Sequence, residues 1–350
     1  MILLAFILVF ILSFSVSLAM IPVARWLSYR FNAVSEPGGR RHEAEPMPRL
    51  GGLAVFTGFI VAVIASQFLP VPRQDPEELT RLTGLILGSI FVFSFWFLDD
   101  IFEFKWLSQA IAQVIAAGIA ISFLIFIEFF NNPITGQQTD PWSFWVTIVL
   151  TLFWVGLMMN TVNFLDGLDG LAAGVAVIAG LMLFANSAFR VEPAQSSVAL
   201  LPLAMTGACL GFLMYNFYPA RIYLGGGAPL LGFWLATLSI IGGAKMATIL
   251  LVMGLPLIDS TWQAVSRLLR GQNPMRGDRG HLHFRLLDTG ILSHRQIVLF
   301  YYLFCSFFGV LTLLLDSQLF KFIAFGVMIL LIIVGLMVII RIPSQSSSST

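Results

Sequence analysis

A chain crosses lipid only as helices or as a closed barrel, because hydrocarbon offers no partner to a backbone N–H or C=O. Apolar runs recur at 2–24, 52–70, 82–98, 107–129, 143–160, 168–187, 198–215, 229–243, 245–263, 296–315 and 320–340. Most are close to the roughly 20 residues that span the hydrocarbon as a helix. The pattern predicts an all-α, polytopic integral membrane protein of about eleven transmembrane helices. The run from 229 is short and glycine-flanked, and the run from 245 ends at Asp259. With 58% hydrophobic residues, 11% charged and a mean hydropathy of +0.91, no polar stretch is long enough for a soluble domain. One transmembrane domain over 1–343 is expected, followed by a disordered serine-rich tail over 344–350. Cys209 and Cys305 sit inside apolar runs and read as small buried hydrophobes.

Orientation follows from the basic residues. None precedes the first run, whereas Arg25, Arg30, Arg40, Arg41 and Arg49 follow it. The run therefore does not read as a cleaved signal peptide, and its start is expected outside. Alternating from there, only Arg73, Arg81, Arg190, Lys245 and Lys321 of the 19 Lys and Arg residues fall on the outer side. The positive-inside rule thus supports an outside N-terminus and a cytoplasmic C-terminus. The same alternation places Asp99, Asp100, the stretch 160–170, Gly225–Gly227 and all four histidines on the cytoplasmic side.

That side carries polar groups that need partners. Asp99 and Asp100 emerge together at the end of the third run. They repel each other, and a helix C-terminus disfavours them both; a divalent cation or a shared proton would relieve the strain. Asn163, Asp166 and Asp169 are spaced i, i+3, i+6 in a stretch that also holds Asn160, Gly167 and Gly170, so they are neighbours if it is helical. One aspartate would suffice as a cap for the following helix; carboxylate and amide oxygens together are the hard donors Mg²⁺ takes. His281, His283, Arg279 and Arg285 lie in the longest inner loop. Solvated loop residues would look the same singly, but this density suggests an anion site, with guanidinium forks suited to diphosphate. Zinc is disfavoured, since both cysteines are expected in the bilayer. Arg49, in the proline- and glycine-rich lead-in to the second run, reads as an interface anchor or an anion ligand.

Taken in order, Pro46–Gly52 (PMPRLGG), Asp99-Asp100, Asn163–Gly170 (NFLDGLDG), Asn216–Gly225 (NFYPARIYLG), Pro256–Asp259 (PLID) and Asp278–Leu287 (DRGHLHFRLL) resemble the bacterial polyprenyl-phosphate N-acetylhexosamine-1-phosphate transferases. That superfamily, glycosyltransferase family 4, includes phospho-MurNAc-pentapeptide translocase. The resemblance covers about 34 to 296 and is specific as an ordered set. It implies a multi-pass enzyme of the bacterial cytoplasmic membrane with its active site facing the cytoplasm. The reaction implied is transfer of an N-acetylhexosamine-1-phosphate, with GlcNAc-1-phosphate the first choice, from a UDP-N-acetylhexosamine to a polyprenyl phosphate. The products are UMP and a polyprenyl-diphospho-sugar that starts a lipid-linked cell-envelope glycan. By the same resemblance, Mg²⁺ is the expected metal, with Mn²⁺ as a substitute. Asp99, Asp100 and Asp166 are the implied catalytic residues, and Asn163 and Asp99 the implied metal ligands. Arg49, Asn160, Asp169, Arg279, His281, His283 and Arg285 are the implied substrate contacts. A homodimer is compatible with it, and no nucleic-acid partner is expected. Which carboxylate acts as base stays open.

The sequence departs from the family pattern after Asn216–Gly225, where an aspartate that ligates the metal usually follows. Gly226 occupies that place, Pro229 stands where a hydroxyl residue is usual, and Phe284 stands where relatives often have a third histidine. Gly226 motivates an alternative reading, a homologue with a degraded metal site that binds lipid phosphate or nucleotide sugar without turnover. A transporter is the weaker rival, because it would place ionisable groups near the membrane midplane, and here they sit at the inner ends of the runs.

Overall fold

The structure is a computed structural model that describes residues 1–35, 46–241, 243, 245–272, 279–315 and 317–340, with Ile340 as backbone only. Arg40, Arg41, His42, Arg276, Asp278, Arg341 and the 344–350 tail lie outside the described residues.

The apolar runs become helices: α1 (Ile2–Arg30), α2 (Gly52–Ser66), α3 (Glu78–Phe102), α4 (Trp106–Ser122), α5 (Phe144–Leu165), α6 (Leu171–Ala185), α7 (Ser196–Asn216), α8 (Gly227–Ile240), α9 (Met246–Val252), α10 (Gly254–Leu269), α11 (Leu282–Asp288), α12 (His294–Leu314) and α13 (Gln318–Ile340). A π-helical turn, Asn186–Arg190, extends α6, and a two-residue antiparallel pairing joins β1 (Val34–Ser35) to β2 (Met47–Pro48). Among the described residues, seven helices are long and apolar enough to cross a membrane, and α2, α4 and α8 are shorter apolar helices. The run at 245–263 is not one straight span: it breaks at Met253 into α9 and α10, bent by 77°. Counting that pair once, these helices occupy the eleven runs.

Packing is densest around α6, α7 and α8, whose residues are mostly buried. Lipid tails are as apolar as leucine, so helices in a membrane associate through close van der Waals contact and hydrogen bonds. α1, α2 and α7 meet through small residues. A Cβ on Gly211 would lie 2.5 Å from the Phe14 carbonyl, one on Gly58 would lie 2.7 Å from the Ser13 carbonyl, and the Ser17 hydroxyl donates to the Ala208 carbonyl at 2.8 Å. Between α3 and α8, Trp234 Nε1–H donates to Ser89 Oγ at 2.8 Å; such bonds contribute about 0.6 kcal/mol each within a bilayer.

The alternation brings the C-terminal ends of α1, α3, α5 and α7 to the same end of the bundle as the N-terminal ends of α2, α4, α6, α8 and α12. Hydrogen bonds tie these ends to one another: Leu50 N–H to Ser28 Oγ, Gln109 to Asp99, Gly170 to Asn216 and Arg295 to the Tyr218 carbonyl.

Candidate active site

The polar end divides into two neighbouring parts. The first is built on Asp100, which is buried in the last turn of α3. Its Oδ2 accepts the Gly226 N–H at 2.6 Å, at the positive end of α8, where a carboxylate is favoured. Arg49 stands beside it, with Nη2 3.6 Å from Asp100 Oδ1 and Nη1 3.4 Å from Glu103. Main-chain bonds clamp the Arg49 segment onto the segment before the glycines: Tyr223 N–H to Pro48, Gly51 N–H to Tyr223 and Gly52 N–H to Leu224, at 2.8 to 3.0 Å. The two strands of chain approach so closely that side chains are excluded. Gly225 has φ +57°, and a Cβ there would lie 2.0 Å from the Arg49 carbonyl. A Cβ on Gly226 would lie 2.6 to 2.8 Å from Cβ, O and C of Trp96.

Asp99 points elsewhere. It accepts from Gln109 Nε2 at 3.0 Å and from the Phe104 N–H at 2.9 Å, which fixes the turn into α4. One turn further along α4, Gln113 forms a reciprocal amide pair with Asn160 of α5, at 2.8 and 3.1 Å.

The stretch 160–170 links the two parts. Asp166 ends α5 as its C-cap, and Asn163 is exposed one turn earlier. Asp99 and Asp166 both lie close enough for their charges to bear on Asp100. Asp169 accepts the Ala220 N–H at 3.0 Å, so it holds the loop between α7 and α8. Asn216 secures the same loop by accepting from Gly170 and donating to the Ile222 carbonyl.

The second part surrounds two buried histidines. His281 Nδ1 is 3.0 Å from Asp259 Oδ2, and the other oxygen of that carboxylate accepts the Leu282 N–H at 3.0 Å. An ionised carboxylate only accepts, so the pairing assigns the proton to Nδ1 and directs the Nε2 lone pair away from Asp259. That Nε2 is buried and has no hydrogen-bond partner among the described residues, while the ring stacks on Phe164 of α5 at 5.0 Å. His283 packs behind Gly167, where a Cβ would fall 2.2 Å from its Nε2. Phe284 touches the same ring, with centroids 4.4 Å apart. Arg279 pairs with Asp288 at 2.5 Å and lies over the Phe284 ring at 4.9 Å. Arg285 donates to the Gly280 carbonyl at 2.7 Å, and Gln263 to the same oxygen at 2.6 Å.

This polar end lies on a chain with extensive counterparts. Residues 82–243 match the pattern of glycosyl transferase family 4. A Bacillus subtilis (strain 168) protein named "Probable undecaprenyl-phosphate N-acetylglucosaminyl 1-phosphate transferase" is 32% identical, over 88% of this chain and 84% of its own length. The chain belongs to glycosyl transferase family 4. A Mycolicibacterium smegmatis decaprenyl-phosphate N-acetylglucosaminephosphotransferase is also 32% identical, over 80% of this chain and 74% of its own. A Listeria welshimeri phospho-N-acetylmuramoyl-pentapeptide-transferase is 28% identical, over 73% and 80%.

With the family in place, the sequence expectations sort themselves on the structure. Asp99, Asp100, Asp166, Arg49, His281 and His283 are gathered at one end as expected. Asn160 and Asp169 are there too, bonded to Gln113 and to the Ala220 backbone. Arg279 and Arg285 brace the histidine loop through Asp288 and Gly280. The expectation for Gly226 needs correcting. It is not a vacated ligand position into which an aspartate could be restored, because its Cβ would strike the Trp96 backbone, and its N–H already serves Asp100. Pro229 falls in the first turn of α8, where a missing N–H leaves no helical bond unmade. Sequence reasoning missed the roles of Asp259, Gln109 and Gln113. Asp259 carried a signal, the Pro256–Asp259 motif, but no clue to its partner 22 residues on.

Among the described residues, no three His, Cys, Asp or Glu side chains converge as a metal-holding group. Mg²⁺ makes no such demand, since it usually takes one or two carboxylates and completes its shell with waters and substrate phosphates. The hard oxygens of Asp166 and Asn163, at the exposed end of α5, fit that mode.

Proposed function

We propose that this chain transfers GlcNAc-1-phosphate from UDP-GlcNAc to a polyprenyl phosphate. An oxygen of the lipid phosphate attacks the sugar-linked phosphorus of the donor. A new P–O–P bond forms, the bond to the bridging oxygen breaks, and UMP departs with that oxygen. The observation that carries this reading is the 32% identity over 88% of the chain to a relative named for such a transfer, with Asp99, Asp100 and Asp166 gathered at one end. The site is taken to face the cytoplasm of a bacterial inner membrane, in line with the basic residues that flank it. A cleft at the bilayer edge lets a soluble nucleotide sugar meet a lipid headgroup.

Asn163 and Asp166 would hold Mg²⁺, and Asp99 would join them if it exchanged Gln109 for the metal. When bound, the ion supplies neutralisation of phosphate charge, the main requirement of phosphoryl transfer. Asp100, kept by the Gly226 N–H and Arg49, orients the lipid phosphate through Arg49. His281 Nε2, set by Asp259 as an acceptor, takes a hydrogen bond from the donor sugar. Arg279 and Arg285 brace the segment that carries the two histidines, through Asp288 and the Gly280 carbonyl.

Purified protein incubated with UDP-[¹⁴C]GlcNAc, undecaprenyl phosphate and Mg²⁺ is expected to yield labelled lipid. Chelation abolishes it and Mn²⁺ partly restores it. No labelled lipid from any UDP-N-acetylhexosamine, in protein that remains folded, sinks the proposal.

A further inference from the structure

Large aromatic side chains inside the bundle carry their polar tips to partners. Trp234 Nε1–H donates to Ser89 Oγ at 2.8 Å and Trp154 Nε1–H to Ser239 Oγ at 3.1 Å. On α12, the Tyr302 hydroxyl donates to the Gly170 carbonyl at 2.5 Å, in a space that Gly174 leaves open by lacking a Cβ. The preceding residue, Tyr301, breaks this pattern. Its side chain is fully enclosed, at 0% exposure, and its hydroxyl has no hydrogen-bond partner among the described residues. A hydroxyl in that position has given up water for nothing and lowers stability. Phenylalanine would fill the same space without the penalty, so the resting fold gives no reason for the oxygen.

The surroundings of Tyr301 supply one. Its ring stands edge-on to His283, with centroids 6.4 Å apart and planes at 74°, and His283 stacks against His281 at 5.8 Å. The Asp259 carboxylate lies close enough for its charge to bear on the Tyr301 hydroxyl. Asp259 uses one oxygen on His281 Nδ1 and the other on the Leu282 N–H, which leaves about two of a carboxylate's four lone-pair sites open. A charged acceptor with sites to spare is the strongest partner a hydroxyl can find. We infer that Tyr301 is a positioning residue that acts through Asp259, its hydroxyl becoming a third donor to that carboxylate when His281 engages the donor sugar. The third donor steadies Asp259, and with it the tautomer of His281 that keeps Nε2 an acceptor. A bond made only with substrate in place assists turnover and adds nothing to the free fold.

The inference rests on the transfer reaction proposed above, and the wild-type chain in the same assay separates the two. No labelled lipid from the wild type removes the reaction and the inference with it, whereas equal activity of wild type and Tyr301→Phe removes the inference alone. Tyr301→Phe is expected to melt at or above the wild-type temperature and to lose about tenfold in kcat/KM, the loss of one hydrogen bond to a charged group. That pairing of unimpaired stability with impaired turnover is one that a structural role does not produce. A double-mutant cycle then tests the route through Asp259: Tyr301→Phe combined with Asp259→Asn is expected to be no slower than Asp259→Asn alone. Additive losses in the cycle would overturn the inference. So would a Tyr301→Phe variant that melts below the wild type, which would mean that the hydroxyl is already bonded in the resting protein, to a buried water for example.

Discussion

Asp100 and Asp259 are both buried carboxylates at the same end of the bundle, yet they are held by opposite means. Asp100 is held largely by backbone, through the Gly226 N–H at the start of α8 in a crossing too tight for side chains. Asp259 holds a side chain, His281, and uses its second oxygen to fix the backbone that carries it. The first arrangement is rigid and intolerant of added atoms. The second depends on the chemistry of one carboxylate and tolerates changes of shape. Substitutions in the two parts should therefore fail differently, the first through folding and the second through turnover.

Gly226→Asp should have the largest effect. It drives a side chain into the Trp96 backbone, so we expect a loss of about 3 kcal/mol or no folded protein, seen by size-exclusion chromatography and thermal melting. A folded Gly226→Asp variant with raised activity would restore the idea of a lost metal ligand. Asp259→Asn comes next. It keeps size and shape but no longer dictates the His281 tautomer, so turnover should fall about a hundredfold with little change in melting temperature. A matched fall in melting temperature would make Asp259 merely structural. Asn163→Ala should leave the fold intact and raise the Mg²⁺ concentration for half-maximal activity about tenfold, read from a metal titration. Gln113→Leu should matter least: it opens the amide pair with Asn160, costs about 1 kcal/mol and changes activity only a few-fold.

The comparison also marks what could be read in the sequence. The helices were legible because each apolar run is a local property, and so was the gathering of charges at one end, since alternation follows from counting. The break at Met253 was not, because the run stays apolar across it; Gly254 and Pro256 were the only local hints. The role of Gly226 was misread because comparison of sequences registers an absent side chain but not the lack of room for one. Asp259 with His281 and Gln113 with Asn160 are contacts across 22 and 47 residues, and no local pattern encodes them.

The central claim is that a phosphorus atom moves with the sugar. UDP-GlcNAc labelled with ³²P at the β-phosphorus, incubated with the folded protein, undecaprenyl phosphate and Mg²⁺, tests it in one step. The account predicts label in the lipid and release of UMP in equal amount. Label that stays in UDP while the sugar reaches the lipid, or that never leaves the donor, would contradict it.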